Sequence, residues 1–375
     1  MKNAYAGLYI HVPFCLSKCG YCSFYSVSGT QLIAEFIKVV SSEMSFYKQC
    51  FPSFDTMYLG GGTPSLLSVE QIELILQAAQ NHFDIARHAE ITMEVNPGDA
   101  SVDYFRTLRR WGVNRLNIGI QSFDDRLLKF LGRRHTAAEA LKSIESARHA
   151  GFDNIGIDLI YGVHGQDFNT WRHTLAKALS LGPEHLSCYQ LSLSENTPLH
   201  KHYAHQGICL PMENEALNFF MKTSQILTDA GYSHYEVSNY ARADIFRSAH
   251  NMKYWRHLPY LGLGPSAHSF LDRHRWWNQS SVHSYLNSVS GGIKPMENSE
   301  ALTLEQLRLE TLFLSMRTKD GVDLRQYENN YGTDLLSEKK AIIDKLIMNQ
   351  LVILEDNCLR PTLSGMAVAD SLALI

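Results

Sequence analysis

Short runs of strand-like apolar character alternate with longer segments of helical spacing along the first half of the chain. The strand-like runs fall at residues 8–14, 56–60, 90–96, 115–121, 154–162 and 185–193. The segments between them are amphipathic. Residues 69–83, for example, place Ile72, Ile75, Leu76 and Ala79 at helical intervals. Six such strand–helix units predict an α/β fold, a parallel sheet curled into a partial (β/α)6 barrel. In barrels of this kind the reactive groups gather at the carboxyl ends of the strands. Here Cys15 follows the first run, residues 60–64 follow the second, and Glu94 and Asn96 end the third. Gln121 ends the fourth, and Asp158 lies late in the fifth. The polar and glycine-rich positions therefore collect at one end of the expected sheet.

The pattern changes after a helical stretch at 213–230. Residues 250–278 hold four of the seventeen histidines and three of the five tryptophans, a composition far from that of an ordinary loop. A Ser, Asn and Gly-rich stretch at 280–295 reads as a connector. From about residue 303 helical spacing returns, followed by an expected hairpin (351–355, 357, 359–361) and a last helix. This tail reads as a small helical or winged-helix-like domain. It lacks a basic stripe, so a packing or partner role is expected rather than DNA reading. The expected divisions are 1–240 for the barrel, 241–295 for the aromatic segment and linker, and 296–375 for the tail.

With 45% apolar and 19% charged residues among 375, the chain can bury a sizeable core. A net charge of −4 gives no reason to expect a nucleic-acid partner. Residues 1–14 match neither a secretory signal nor a membrane span, and no apolar run reaches about 18 residues. Seven cysteines, three of them within eight residues, fit metal binding in a reducing compartment better than a disulfide framework. The cytoplasm is the expected location.

Cys15, Cys19 and Cys22 form a CxxxCxxC loop. Soft thiolates favour zinc or an iron–sulfur centre. Structural zinc takes four protein ligands, and only His11 stands near enough in sequence to serve as the fourth. Three ligands on a four-iron cluster would leave one iron open to a small molecule. Cys50, Cys188, Cys209 and Cys358 are scattered and read as packing residues.

The segment from Tyr9 to Cys22, with His11, Pro13, Phe14 and Tyr21 around the three cysteines, resembles the opening of a known family. That family is the radical S-adenosylmethionine (SAM) enzymes related to oxygen-independent coproporphyrinogen III oxidase. The resemblance continues through Gly60-Gly61-Gly62-Thr63-Pro64, Glu94-Val95-Asn96-Pro97, Gly119-Ile120-Gln121-Ser122-Phe123 and Leu131-Gly132-Arg133. It extends through residues 158–162, 235–239 and 250–255, and so covers the chain almost end to end. It implies a radical SAM barrel whose Cys15, Cys19 and Cys22 hold a [4Fe–4S] cluster. The amine and carboxylate of SAM would chelate the open iron, and an electron from the cluster would cleave SAM to a 5′-deoxyadenosyl radical. The cofactors supply that chemistry while the protein orients and shields them.

Tyr9, Gly61, Gly62, Thr63 and Glu94 fall in the motifs that the resemblance assigns to SAM. The glycines let backbone approach its amino group, or simply make a tight turn. Glu94 suits the ribose hydroxyls, or is a solvated rim carboxylate. Tyr21, Gly62, Thr63, Gln121, Arg133 and Asp158 match positions lining a second SAM site in the coproporphyrinogen enzyme. Arg133 suits a carboxylate as a bidentate donor, or pairs with an acid on its own helix. His250, Asn251, Tyr254 and Trp255 match an HNxxYW motif that a heme chaperone branch of the family uses for heme. Taken alone, His250 reads more readily as a satisfied core histidine. His257, His268 and His274 are weaker heme candidates.

Two departures from the coproporphyrinogen oxidase pattern bear on function. Phe24 stands where that enzyme has a fourth cysteine, and the cluster motif begins almost at the terminus, where that enzyme has a long covering extension. Both resemble the chaperone branch. His164 departs from it, standing where a proline is usual. The expected function is thus heme binding and delivery with a retained cluster and SAM site. The rivals are oxidative decarboxylation of coproporphyrinogen III, heme-opening radical methyl transfer, and SAM binding without turnover. The implied partners are heme, a heme-acceptor protein and an electron donor, with membrane association only peripheral and through a partner.

Overall fold

All six expected strands form and pair as parallel neighbours in chain order. They are β1 (Ala6–Val12), β2 (Ser53–Gly61), β3 (Asp84–Val95), β4 (Arg115–Gln121), β5 (Ile155–Tyr161) and β6 (His185–Gln190). The computed structural model describes residues 5–51, 53–195, 197–203, 208 and 210–372; Cys209 lies outside them. Along each strand one face is apolar, as with Leu8, Ile10 and Val12 of β1. These pack against Phe36 and Val40 of α1 (Ile33–Glu43) and Ile72, Ile75 and Leu76 of α2 (Val69–His82). Burying each such side chain contributes about 1.5–3 kcal/mol. Five of these helices start where the sequence supplies a side-chain cap. Ser68 and Gln71 form a capping box at α2, and Ser101 caps α3 (Val102–Arg110). Asp124 caps α4 (Asp125–Leu131), and Thr136 with Glu139 forms a second capping box at α5 (Ala137–His149). Asp167 caps α6 (Phe168–Ser180), and α7 (Glu213–Asp229) follows.

The parallel run does not stop at six strands. Beyond β6 lies a hairpin of β7 (Ser233–Glu236) and β8 (Asn239–Ala241), with β8 antiparallel to β6. On the other side, after α8 (Ala249–Trp255), β9 (Tyr260–Leu263) runs parallel to β1, pairing Gly7 with Tyr260 and Ile10 with Leu263. Antiparallel β10 (His268–Leu271), β11 (His274–Asn278) and β12 (Met296–Ala301) complete a twelve-stranded mixed sheet among the described residues, in the order β12-β11-β10-β9-β1-β2-β3-β4-β5-β6-β8-β7.

The aromatic segment is therefore woven into the main sheet. His268 lies on β10, and His274, Trp276 and Trp277 lie on β11. The stretch read as a connector contains α9 (Val282–Ser290), which buries Val282, Tyr285, Leu286 and Val289. Glu43, fully buried at the end of α1, accepts hydrogen bonds from Tyr285 Oη (2.7 Å), Asn278 Nδ2 (2.6 Å) and the Gly264 amide (2.9 Å). One carboxyl group thus joins α1, α9 and the edge strands. Burial pushes its pKa up to about 7.

The tail has its own core of Leu312, Met316, Val322, Tyr327, Ile343, Val352 and Leu359, built on α10 (Leu304–Ser315) and a three-stranded antiparallel sheet. It is fastened to β7 by main chain: Val237 N donates to Arg317 O (3.0 Å) and Lys319 N to Tyr235 O (2.9 Å). Arg247 and Arg256 both pair with Asp320. No helix among the described residues is long and apolar enough to cross a membrane.

Candidate functional site

The strand faces opposite the helices are polar and enclose a cavity of about 460 Å³. Of the residues singled out from the sequence, Tyr21, Cys22, Gly61, Gly62, Thr63, Glu94, Gln121, Arg133, Asp158 and Asn251 line it. The strand-end rule accounts for most of them. Gln121 ends β4 in a strained backbone conformation (φ 68°) beside a register shift, and its buried Oε1 has no hydrogen-bond partner among the described residues. Non-glycine residues held in this region cost roughly 1–3 kcal/mol, which places Gln121 among positions fixed by more than local preference.

The cysteine loop lies on the rim. Thr63 Oγ1 donates to Cys15 Sγ and Arg133 Nη1 to Cys19 Sγ, both at 3.4 Å. Arg133 Nη2 donates to Gly119 O (2.6 Å) and Asn96 Oδ1 (2.7 Å), while its buried Nε has no hydrogen-bond partner among the described residues. Arg133 pairs with no acid on its own helix; it braces the cysteine loop against two strand ends. Gly61, at φ 114°, sits where a Cβ would be 2.7 Å from the His11 ring. A Cβ on Gly62 would be 2.6 Å from Phe14 O, so this approach of β2 to the cysteine loop requires glycine. His11 is not available as a fourth ligand: its Nε2–H donates to Tyr25 O and its Nδ1 accepts from Tyr9 Oη, both at 2.9 Å. Tyr9 is thereby turned to His11 and does not line the cavity. Hydrogen-bond donors on two thiols, a glycine cradle and unpartnered polar atoms on the cavity wall fit a thiolate-held cluster next to a small polar cofactor.

Inside the cavity, Glu94 accepts from Tyr58 Oη (2.9 Å) and the Gly61 amide (3.2 Å). Burial, and then the neighbouring Asp158, push its pKa up to about 7. It is an internally bonded carboxylate, not a solvated rim group. Asp158 accepts from Asn117 Nδ2 (2.7 Å), and burial raises its pKa as well.

The four residues of the aromatic motif do not converge. His250 is 1% exposed. Its Nδ1 shares a hydrogen bond with Thr56 Oγ1 (2.9 Å) and its Nε2 with Tyr254 Oη (2.8 Å). Burial, then Lys253 and Arg115, hold its pKa down at about 3. Both ring nitrogens of His250, expected from its motif to take part in heme binding, are thus committed inside the protein. Asn251 faces the main cavity, whereas Trp255 packs beside Tyr235, Ala241 and Met252 under the Arg317 guanidinium. Tyr254 lines a different cavity, together with His257 and His268. His274 is exposed. His164 makes a ring contact with Phe130 at 5.6 Å. Of the cysteines read as packing residues, Cys188 is buried, Cys358 is half-buried and Cys50 is exposed.

The cavity also contains residues not anticipated from sequence: Tyr58, Arg115, Asn117, His185 and Ser187. Arg115 and His185 are each 1% exposed, and each keeps one nitrogen without a hydrogen-bond partner among the described residues. A signal for them did exist. Arg115, Asn117, Gly119 and Gln121 alternate with apolar residues along β4, as His185 and Ser187 do along β6. Period-two alternation marks the inward face along a strand's whole length, not only at its end.

The pattern of the Radical SAM superfamily matches residues 9–178, and that of the HemN C-terminal domain matches residues 302–368. The solved structure of coproporphyrinogen III oxidase (HemN) from Escherichia coli superposes with a TM-score of 0.86 at 23% identity, covering 99% of this chain and 89% of that one. These define a radical SAM fold of the HemN type. Among curated proteins, the heme chaperone HemW of Lactococcus lactis subsp. lactis is 35% identical over 348 residues, 92% of this chain and 90% of its own length. HemW of Bacillus subtilis is 32% identical over 340 residues (89% and 88%), and that of E. coli 36% over 267 residues (70% and 69%). The chain belongs to the HemW family.

Proposed function

We propose that this protein binds heme and delivers it to an acceptor protein, carrying a [4Fe–4S] cluster and exchangeable SAM. The observation that carries this reading is the end-to-end likeness to proteins named heme chaperones, at 35% identity over 92% of the chain. Cys15, Cys19 and Cys22 would hold the cluster, Thr63 and Arg133 would donate to its thiolates, and Glu94, Gln121 and Asp158 would meet SAM. When bound, the reduced cluster supplies an electron to SAM. The chain's own part is to orient SAM, satisfy the thiolates and limit water at the cavity. The other partners are an electron donor and the acceptor, through which any membrane contact would run; thiolate ligation calls for a reducing compartment.

The rival reading, coproporphyrinogen III dehydrogenation, finds less support. Phe24, where the oxidase has its fourth cysteine, is 67% exposed on the cavity rim. The deciding experiment is anaerobic reconstitution with iron and sulfide, after which heme and coproporphyrinogen III are offered separately with SAM and a reductant. Stable heme binding and transfer without protoporphyrinogen is expected. Protoporphyrinogen formed over many turnovers would restore the enzyme.

A further inference from the structure

A second cavity, of about 340 Å³, lies between the end of α8, strands β9–β11 and α10 of the tail. Tyr254, His257, Tyr260, His268, Phe270 and Phe313 form its walls. We propose that this groove seats the heme and that His268 supplies the nitrogen to its iron; the inference rests on the heme-delivery reading above.

A flat macrocycle needs aromatic walls held in place, and these are held. The Tyr254 and Tyr260 rings meet edge to face at 4.7 Å, and the His257 ring stacks on Phe270 at 4.5 Å. His268 and Phe270 are two residues apart on β10 and so share one face of the sheet. Trp277, the cross-strand partner of His268 on β11, stacks on its ring at 5.6 Å. The groove has two imidazoles, and the structure separates them. His257 Nδ1 shares a hydrogen bond with Thr311 Oγ1 (3.4 Å), and its Nε2 lies 3.2 Å from a Glu310 carboxyl oxygen. His268 is exposed at the groove and has no hydrogen-bond partner among the described residues, so its ring nitrogens are open to a metal.

The rim sets one arginine against two carboxylates, because Arg275 is held by both Glu300 and Glu310. Propionates gain little by turning inward, so the macrocycle enters by its apolar edge and its carboxylates stay in water. A heme held this way remains accessible to an acceptor. The geometry also gives His250 a different task from ligation. It fixes the Tyr254 phenol and hence one wall of the groove, which makes it a positioning residue.

The test titrates ferric heme into the full-length protein, following the Soret band and the electron paramagnetic resonance of the iron. Wild type should show a histidine-ligated spectrum. His268→Ala should lose that spectrum and weaken retention at least tenfold, and added imidazole should restore the spectrum. His250→Ala should keep the ligand-field spectrum while retaining heme less well. A Phe313→Ala change, which alters a wall and leaves the ligand intact, should shorten retention without a spectral change. Circular dichroism of each variant reports folding. An unaltered spectrum and affinity in folded His268→Ala would overturn this site while leaving heme delivery in place. No heme binding by wild type would overturn the delivery reading itself.

Discussion

The Tyr254 hydroxyl stands 2.8 Å from His250 Nε2, while the opposite nitrogen of the same ring lies 2.9 Å from Thr56 Oγ1. One buried imidazole thereby bridges α8 to β2. His250→Ala removes both bonds and leaves a cavity, and should cost roughly 2–4 kcal/mol of stability. Tyr254→Phe leaves one ring nitrogen unpaired and should cost about 1–2 kcal/mol. Urea unfolding of the three proteins measures both, and a loss below about 0.5 kcal/mol in His250→Ala would show that the bridge is not structural.

Glu43 and His250 should give opposite pH signatures. The Glu43 pKa is raised from 4.5 to about 7 on folding. Its carboxyl stays protonated in the fold after it has ionised in the unfolded chain, so its contribution falls as pH rises from 4.5 to 7. The His250 pKa is lowered from 6.5 to about 3. The unfolded chain takes up its proton first, so its contribution falls as pH drops below 6.5. Between pH 5 and pH 7 the gap between wild type and Glu43→Gln should shrink, and the gap for His250→Ala should grow, each by on the order of 1–3 kcal/mol. Gaps that stay constant with pH would refute the assignment for that residue.

Reconstituted anaerobically, the protein should bind about four irons and four sulfides, the composition of one [4Fe–4S] cluster. Cys15→Ala, Cys19→Ala and Cys22→Ala should each abolish this, whereas Cys50→Ala and Cys358→Ala should not. Arg133→Lys keeps a charge but loses the fork that reaches Cys19, Asn96 and Gly119, and should shift the cluster's paramagnetic signal. Stoichiometric zinc without iron–sulfur absorption would contradict the cluster.

Among the described residues Glu94 accepts two hydrogen bonds and retains acceptor capacity. Glu94→Ala should weaken SAM binding by roughly 1–3 kcal/mol, measured by anaerobic calorimetry on the reconstituted protein. Unchanged affinity would remove Glu94 from the site.

The cysteine loop, Glu94, Gln121 and Asp158 were legible because each sits at or near the carboxyl end of a strand that alternation predicts. Tyr58, Asn117, His185 and Ser187 were also encoded by alternation, but they lie deeper along the strands than a rule about strand ends looks. The HNxxYW motif misleads when read as a line. Adjacent residues on a helix point about 100° apart, so His250 and Tyr254 meet while Asn251 is carried to the main cavity. The partner that commits His250 is Thr56, 194 residues away in sequence, and no local pattern announces such a pairing. The same holds for the place of 260–278 in the main sheet: runs of four or five residues containing Gly, His and Trp carry little strand signal until the edge of β1 receives them.

That last pairing has a consequence for how the molecule is made. β1 emerges early, but one of its two edges waits for residues 260–263. Until then Tyr9 and His11, which border the cysteine loop, belong to a strand open on one side, a template for pairing with the wrong chain. Contacts of such sequence separation form slowly, because loop closure must precede any gain from pairing. On the ribosome, with synthesis running at roughly 5–20 residues per second, the three cysteines are exposed for some tens of seconds before the sheet beside them can close. Metal loading and chain completion are therefore competing events in time, and nascent chains stalled before Tyr260 should aggregate while those released after Asn278 should not.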